Sequence, residues 1–378
     1  MHKIILLLNG ISDEPLKDLD YRTPLQVANT NAMDKLASSS FYSVDTGSCG
    51  GVESAMFSML GGVMVSNPIA QAPLKACALG YRLTKNQLAF SLRFISVAEG
   101  VVVNVDNDII NQEEGRALCR SLSKHFSRRG YHFIYLQNSE AVLVAEKAII
   151  ADSMIVHEGN PIAFLNREWL SQVDTPMGNF LSELNDYLNQ HEINGLRYDL
   201  EEDSVNGVLL SQGGILPKVF HDDRDGLEDI ILYSDSMSSI GVAKVLGVEA
   251  VSLELNNYEE KIPEFIGAIE EMGRGKGILI WENNLIWEST YHGNLLEKIK
   301  RIEYLDKVLV APIYEYARQR GIDLMVLPLK NSSIHNGSWM AGSVPMAKVG
   351  DKNSIGSRKY CEEGAELEQN VSLDNMLF

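Results

Sequence analysis

Lys3-Ile4-Ile5-Leu6-Leu7-Leu8-Asn9-Gly10 opens the chain, and how this run is read decides the fold. The apolar run has strand length, shows no alternation and stops at Asn-Gly. That pattern predicts a strand buried on both faces, as in the middle of a parallel sheet. Asp13 and Glu14 follow closely and no small-residue cleavage site is present, so the run does not read as a secretory signal. Outward from it, strand-like runs alternate with helical patterns. A helix near Asn31 to Ala37 and another from Glu53 to Leu60 precede strands at Val208 to Leu210 and Ile230 to Tyr233. A helix from Ser238 to Leu246, a strand Val251 to Leu253, a helix Ile262 to Met272 and a strand Gly277 to Trp281 continue the pattern. One long helix from Leu295 to Arg320 and a strand Leu324 to Leu327 complete it. This alternation predicts a largely parallel sheet covered by helices on both faces, with functional residues where strands end and loops begin.

Between Leu83 and Asn206 the grain changes. Extended Leu88 to Val97 and Val101 to Val103, a helix around Glu113 to Phe126 and strands at Phe133 to Leu136 and Ala141 to Ala145 predict a small antiparallel sheet backed by a helix. A helix at Asn179 to Asn189 leads back, and Thr46 to Gly51 reads as one Gly- and Ser-rich loop.

Composition narrows the function classes. With 378 residues the chain can bury a large core or two lobes. No apolar run approaches the roughly 20 residues that span a bilayer, so membrane residence is not expected and the cytoplasm is. Cys49, Cys77, Cys119 and Cys361 form no CxxC pair, which argues against a zinc knuckle or a disulfide framework. A net charge of −18 repels phosphate backbones, and no basic stripe offsets it, so nucleic acid is not an expected partner.

Several segments carry a resemblance in sequence order. Thr23 to Ala37 is similar to Thr-Pro-Leu-Glu-Ala-Ala-Asn-Thr-Pro-Asn-Met-Asp-Arg-Leu-Ala, and Gly51 to Gly61 to Gly-Ser-Asp-Thr-Ala-His-Leu-Ala-Leu-Leu-Gly. Ala70 to Ala76 lies over Gly-Arg-Gly-Pro-Phe-Glu-Ala, and Asn206 to Gly214 over Asn-Gly-Ile-Leu-Leu-Trp-Gly-Gln-Gly. These strings belong to the archaeal-type, 2,3-bisphosphoglycerate-independent phosphoglycerate mutases of the alkaline phosphatase superfamily, which the chain resembles along essentially its whole length. The resemblance implies an α/β fold with an alkaline-phosphatase-like, mostly parallel sheet flanked by helices. It implies a core domain of residues 1–82 and 207–378, and an inserted, smaller α+β cap domain of residues 83–206.

Such enzymes use two divalent cations, such as Mn or Mg, to clamp a transferring phosphoryl group and to activate a hydroxyl that is transiently phosphorylated. The positions that carry this chemistry are changed here. The first-strand Asp is Asn9, and the phosphorylated Ser falls on Val52. The Asp and His of Asp-Glu-Ala-Gly-His fall on Trp287 and Tyr291, the Asp-His pair on Leu329 and Lys330, and the last His near Trp339. An ammonium at Lys330 about 4 Å from a dication, at an effective dielectric of about 20, costs about 8 kcal/mol. The Arg and Glu of Gly-Arg-Gly-Pro-Phe-Glu become Gln71 and Lys75.

Other residues offer chemistry beside these positions. Glu288 and His292, spaced i, i+4, form an alternative ligand pair, weighed against a solvated Glu and a surface His. Ser54 reads as a helix cap rather than a nucleophile, and His335 as an exposed loop residue. Glu53 keeps the charge of the Asp beside the nucleophile, and an ion pair with Lys330 would replace the metal site. Trp281, Trp287 and Trp339 would fill the vacated volume. Glu53, Gln71, Lys75, Gln212 and Lys330 are the ligand-binding candidates.

The leading expectation is a catalytically degenerate homologue that binds a protein partner or a small anionic ligand and needs no cofactor. The alternative is an active phosphoglycerate mutase-like phosphotransferase, isomerase or phosphohydrolase with a rebuilt metal site. A third reading is metal-free acid–base chemistry by Glu53, Lys330 and Tyr291.

Overall fold

The computed structural model describes residues 2–46, 51–64, 69–99, 101–106, 108–146, 176–221, 227–254, 258–272, 277–349, 358–363 and 377. Most of the expected loop from Thr46 to Gly51, including Cys49, lies outside them. The chain divides into two compact units, Met1–Asn67 with Lys218–Phe378, and Pro68–Pro217.

The first unit is built on a seven-stranded sheet in the order Glu249–Ser252, Ile230–Ser234, Ile278–Asn283, Lys3–Leu8, Asp323–Leu327, Ser343–Lys348 and Ser40–Asp45. Neighbours from Glu249–Ser252 to Asp323–Leu327 pair in parallel, and the last two strands add antiparallel edges. Lys3–Leu8 lies inside this sheet, with Leu6 in register with Trp281 on one side and Val326 on the other. Both faces are covered, and Ile4 to Leu8 are all fully buried. The expected mostly parallel α/β architecture therefore stands. The C-terminal ends of the parallel strands bring Asn9, Ser234, Glu282 and Asn283 to one edge of the sheet, where open α/β folds place their ligands.

The expected single helix from Leu295 to Arg320 is interrupted. A π turn, Asp306–Val310, separates Leu295–Leu305 from Ala311–Arg320. Pro312 explains the break, since it lacks an N–H and its ring clashes with the carbonyl four residues back. The wider turn presents Asp306, whose carboxylate accepts from the backbone N–H groups of Ala32 at 3.0 Å and Met33 at 2.8 Å. It thus caps the helix Asn31–Ala37, whose own N-cap residue Thr30 makes no side-chain cap bond. Trp281 lies in the interior. It is fully buried in the apolar core, edge-to-face with Phe265 at 5.1 Å and parallel to Tyr233.

The second unit is a five-stranded antiparallel sheet in which Gln87–Ala98 is the long central strand. Glu140–Glu146 pairs with one edge of it, and Gly207–Gly214 and Val101–Asn104 with the other. Tyr131–Gln137 lies beyond Glu140–Glu146. The helix Gln112–Phe126 starts at a capping box between Asn111 and Glu114 and buries Leu118, Cys119, Leu122 and Phe126. The helix Pro176–Asn189 adds Phe180, whose ring stacks on Tyr131 at 3.7 Å. Because Gly207–Gly214 pairs with Gln87–Ala98, that strand belongs to this unit, as does the helix Gln71–Ala78. No helix of the described residues is long and apolar enough to cross a membrane.

Candidate functional site

Asn9 follows the first strand directly and is fully buried. Its Nδ2 donates to Glu282 Oε1 at 2.9 Å and to Asn284 Oδ1 at 3.1 Å, and its Oδ1 accepts from the backbone N–H of Leu329 at 3.1 Å. Both amide hydrogens and the carbonyl oxygen are thereby engaged. Glu282, at the end of the neighbouring parallel strand, is also fully buried, and its Oε2 accepts from Ser234 Oγ at 2.5 Å. Burial pushes the Glu282 carboxyl up to about 7; the nearby charges of Asp235 and Glu53 add to the shift, while the Ser234 hydroxyl opposes it. Asp235 accepts from the backbone N–H and Nδ2 of Asn284 and, at 2.8 Å, from the Tyr258 hydroxyl. Desolvation holds its carboxyl above the usual range against those bonds.

Val52 is the first residue of the helix Val52–Met59 and is buried at 6 % exposure. The N-cap there is Gly51, which has no side chain to cap the helix, and Ser54 sits inside the helix rather than at its cap. Glu53 is buried, and its Oε1 accepts from Ser238 Oγ at 2.8 Å. Leu329 and Lys330 are both buried, and the Lys330 ammonium donates to the Thr46 carbonyl at 2.9 Å. Glu53 and Lys330 thus each have a hydrogen-bond partner, Ser238 and the Thr46 carbonyl.

Trp287, Tyr291 and Trp339 do come together. The rings of Trp287 and Trp339 stack with centroids 3.5 Å apart and 15° between their planes, and Tyr291 lies 6.4 Å from Trp287. The backbone fits closely here: a Cβ on Gly10, whose φ is +87°, would fall 2.6 Å from the Trp287 nitrogen. Glu288 faces away into an ion pair with Arg301 at 3.1 Å, and His292 and His335 are exposed, so the Glu288–His292 ligand pair is not assembled.

In the second unit Lys75 and Gln212 meet. Lys75 Nζ donates to Gln212 Oε1 at 3.1 Å and lies 3.4 Å from Ser91 Oγ, which itself donates to the same oxygen at 3.0 Å. Gln212 has a φ of +52°, an uncommon left-handed conformation for a non-glycine residue. A Cβ on the following Gly213 would fall 2.3 Å from the Phe90 ring. Gln71 lies one turn before Lys75 on the same helix, with no side-chain hydrogen bond to this group among the described residues.

Sequence reasoning missed several of these groups. Ser234, Asp235, Glu282 and Asn284 carry the site's hydrogen bonds, and polar residues ending a buried parallel strand were the available signal. It also missed the fully buried ion pair of Lys298 and Asp13, where Lys298 reaches Ser332 Oγ at 3.2 Å and the backbone N–H of Asp13 donates to Glu362 Oε1 at 3.0 Å. Nothing local marks that pair, which is 285 residues apart in sequence.

The sequence profile describing 2,3-bisphosphoglycerate-independent phosphoglycerate mutases matches residues 40–194. A mutase of that name from Methanosarcina barkeri is 24 % identical over 97 % of this chain and 95 % of its own length. One from Methanothrix thermoacetophila is 25 % identical over 93 % and 91 %. The chain is similar along most of its length to 2,3-bisphosphoglycerate-independent phosphoglycerate mutases. Solved structures agree on the fold. A Pyrococcus horikoshii protein superposes with a TM-score of 0.72 at 18 % identity, covering 96 % of this chain and 90 % of that one. The cofactor-independent phosphoglycerate mutase of Thermoplasma acidophilum gives 0.59 at 20 % identity, covering 100 % and 98 %.

This likeness corrects one expectation. The relatives carry the name of the mutases that the resemblance above implies use divalent cations, so the substitutions do not license the expectation that no cofactor is needed. Whether these residues fit such ions is a separate question, and at the seven positions named by the resemblance they do not. Asn9 has spent its amide on neighbours, Val52 and Leu329 carry no side-chain donor atom, Trp287 and Trp339 stack on each other, Tyr291 is exposed, and Lys330 brings positive charge. Among the described residues, no group of three or more His, Cys, Asp or Glu is placed to hold a metal ion.

Proposed function

We propose that this mutase-like chain works in the cytoplasm as a binding scaffold for a small anionic metabolite or a protein partner, without passing a phosphoryl group through the position of the family nucleophile. Val52 carries this reading. It is buried at the start of its helix and has no hydroxyl to accept a phosphoryl group. A cation stands in each unit, Lys330 in the first, bonded to the Thr46 carbonyl, and Lys75, beside Ser91 and Gln212, in the second. Calorimetric titration with a monophosphoglycerate tests the anion reading. Lys75→Met is expected to weaken binding about tenfold, the loss of one charge-assisted hydrogen bond, and affinity unchanged by that substitution would remove Lys75 from the site.

A second reading, an active phosphotransferase, isomerase or phosphohydrolase with a rebuilt metal site, is favoured by the relatives that carry the mutase name and by the carboxylates of Glu53, Asp235 and Glu282 at one end of the sheet. Turnover that needs manganese and is lost on Glu282→Gln would establish it.

A further inference from the structure

The corner around Asn9 differs from a metal-ligand position in a specific way. Asn9, Glu282 and Ser234 sit at the ends of three adjacent parallel strands, and each joins the next through a side chain. Asn9 bonds Glu282, Glu282 bonds Ser234, and the Asn9 carbonyl oxygen holds the backbone of Leu329 beyond a fourth strand. The outer members are anchored in turn, Asn284 by Asp235 and Ser234 by the backbone N–H of Ser236 at 2.9 Å.

We propose that Asn9 and Glu282 are a matched amide–carboxylate brace that locks these strand ends together in the place where the family's first cation-binding Asp stands. The chemistry fixes both identities. Glu282 Oε1 and Asn284 Oδ1 are acceptors, so residue 9 must present two donors toward them and one acceptor toward Leu329, and among similar side chains only asparagine does so at this reach. An aspartate would set carboxylate oxygen against carboxylate and carbonyl oxygen at a fully buried position. Residue 9 therefore cannot revert alone, because its identity is set by residue 282, which is 273 positions away. The brace is a property of the folded chain and holds whether or not the protein turns over a substrate.

A double-mutant cycle in the full chain tests it, with unfolding equilibria measured in urea at pH 8 for the parent, Asn9→Asp, Glu282→Gln and the double variant. Asn9→Asp is expected to raise the unfolding constant about 100-fold, as for a buried charge left facing acceptors. Adding Glu282→Gln supplies an amide donor to the new carboxylate, and the double variant is expected to be at least ~10-fold more stable than Asn9→Asp alone. A smaller recovery overturns the proposal. If Asn9→Asp does not fold, folding of the double variant under the same conditions supports the brace, and failure of both overturns it.

Discussion

Glu282 is a carboxyl held at the fully buried end of an inner strand. Its carboxyl is raised from an ordinary value of 4.5 to about 7, chiefly by burial. A raised acid favours the folded state while it keeps its proton. The contribution is therefore fully present below about pH 4.5 and is lost as pH climbs through about 7. With a shift of this size, the unfolding free energy falls by about 3 kcal/mol across that window from this group alone. Glu282→Gln, which cannot ionise, is expected to flatten that part of the stability-versus-pH curve measured by urea unfolding between pH 4.5 and 8. A variant curve as steep as the parent's would show that Glu282 does not carry the effect. Lys298 illustrates the contrasting case, where burial lowers the ammonium pKa but the Asp13 carboxylate beside it opposes the shift.

At the scale of elements, the two helices joined through Asp306 show how one irregularity can serve another. Pro312 forces the π turn, the turn presents Asp306, and Asp306 supplies the acceptors that Thr30 does not. Replacing Asp306 with Ala leaves two helix N–H groups without partners and is expected to lower stability by about 1–2 kcal/mol, read as a shift in the urea midpoint at unchanged slope. A change of a few tenths of a kcal/mol would mean that solvent satisfies those groups instead. The stacked Trp287 and Trp339 are the corresponding feature on the far side of the first strand's turn, joining the helix Leu285–Tyr291 to the short hairpin that ends in Ser338–Met340.

For the whole molecule, the sequence was legible where structure follows from neighbours. Ile4 to Leu8 announced an inner parallel strand without help from the rest of the chain, and the alternating runs around Leu88 to Ala145 announced an antiparallel sheet. The antiparallel strands Ser40–Asp45, at the sheet edge, and Ser343–Lys348, beside it, did not stand out, because neither carries a long apolar run or a clean alternation. The candidate site was legible as a set of replaced residues but not as an arrangement. Trp281 looked like a plug from its nearness in sequence to the replaced positions, yet strand alternation turns it into the core and turns Glu282 toward Asn9. Partners hundreds of positions apart, such as Asn9 with Glu282 or Asp306 with Ala32, leave no local trace. The resulting molecule has the fold of a phosphoglycerate mutase and, at the positions where the resemblance puts the reacting groups, hydrogen-bonded and aromatic packing. Phosphorus NMR of a monophosphoglycerate incubated with the intact protein and saturating magnesium tests this most directly. The expected result is a single substrate resonance, broadened by binding and otherwise constant with time. Growth of the isomeric monophosphoglycerate or of inorganic phosphate, in proportion to protein, would contradict it.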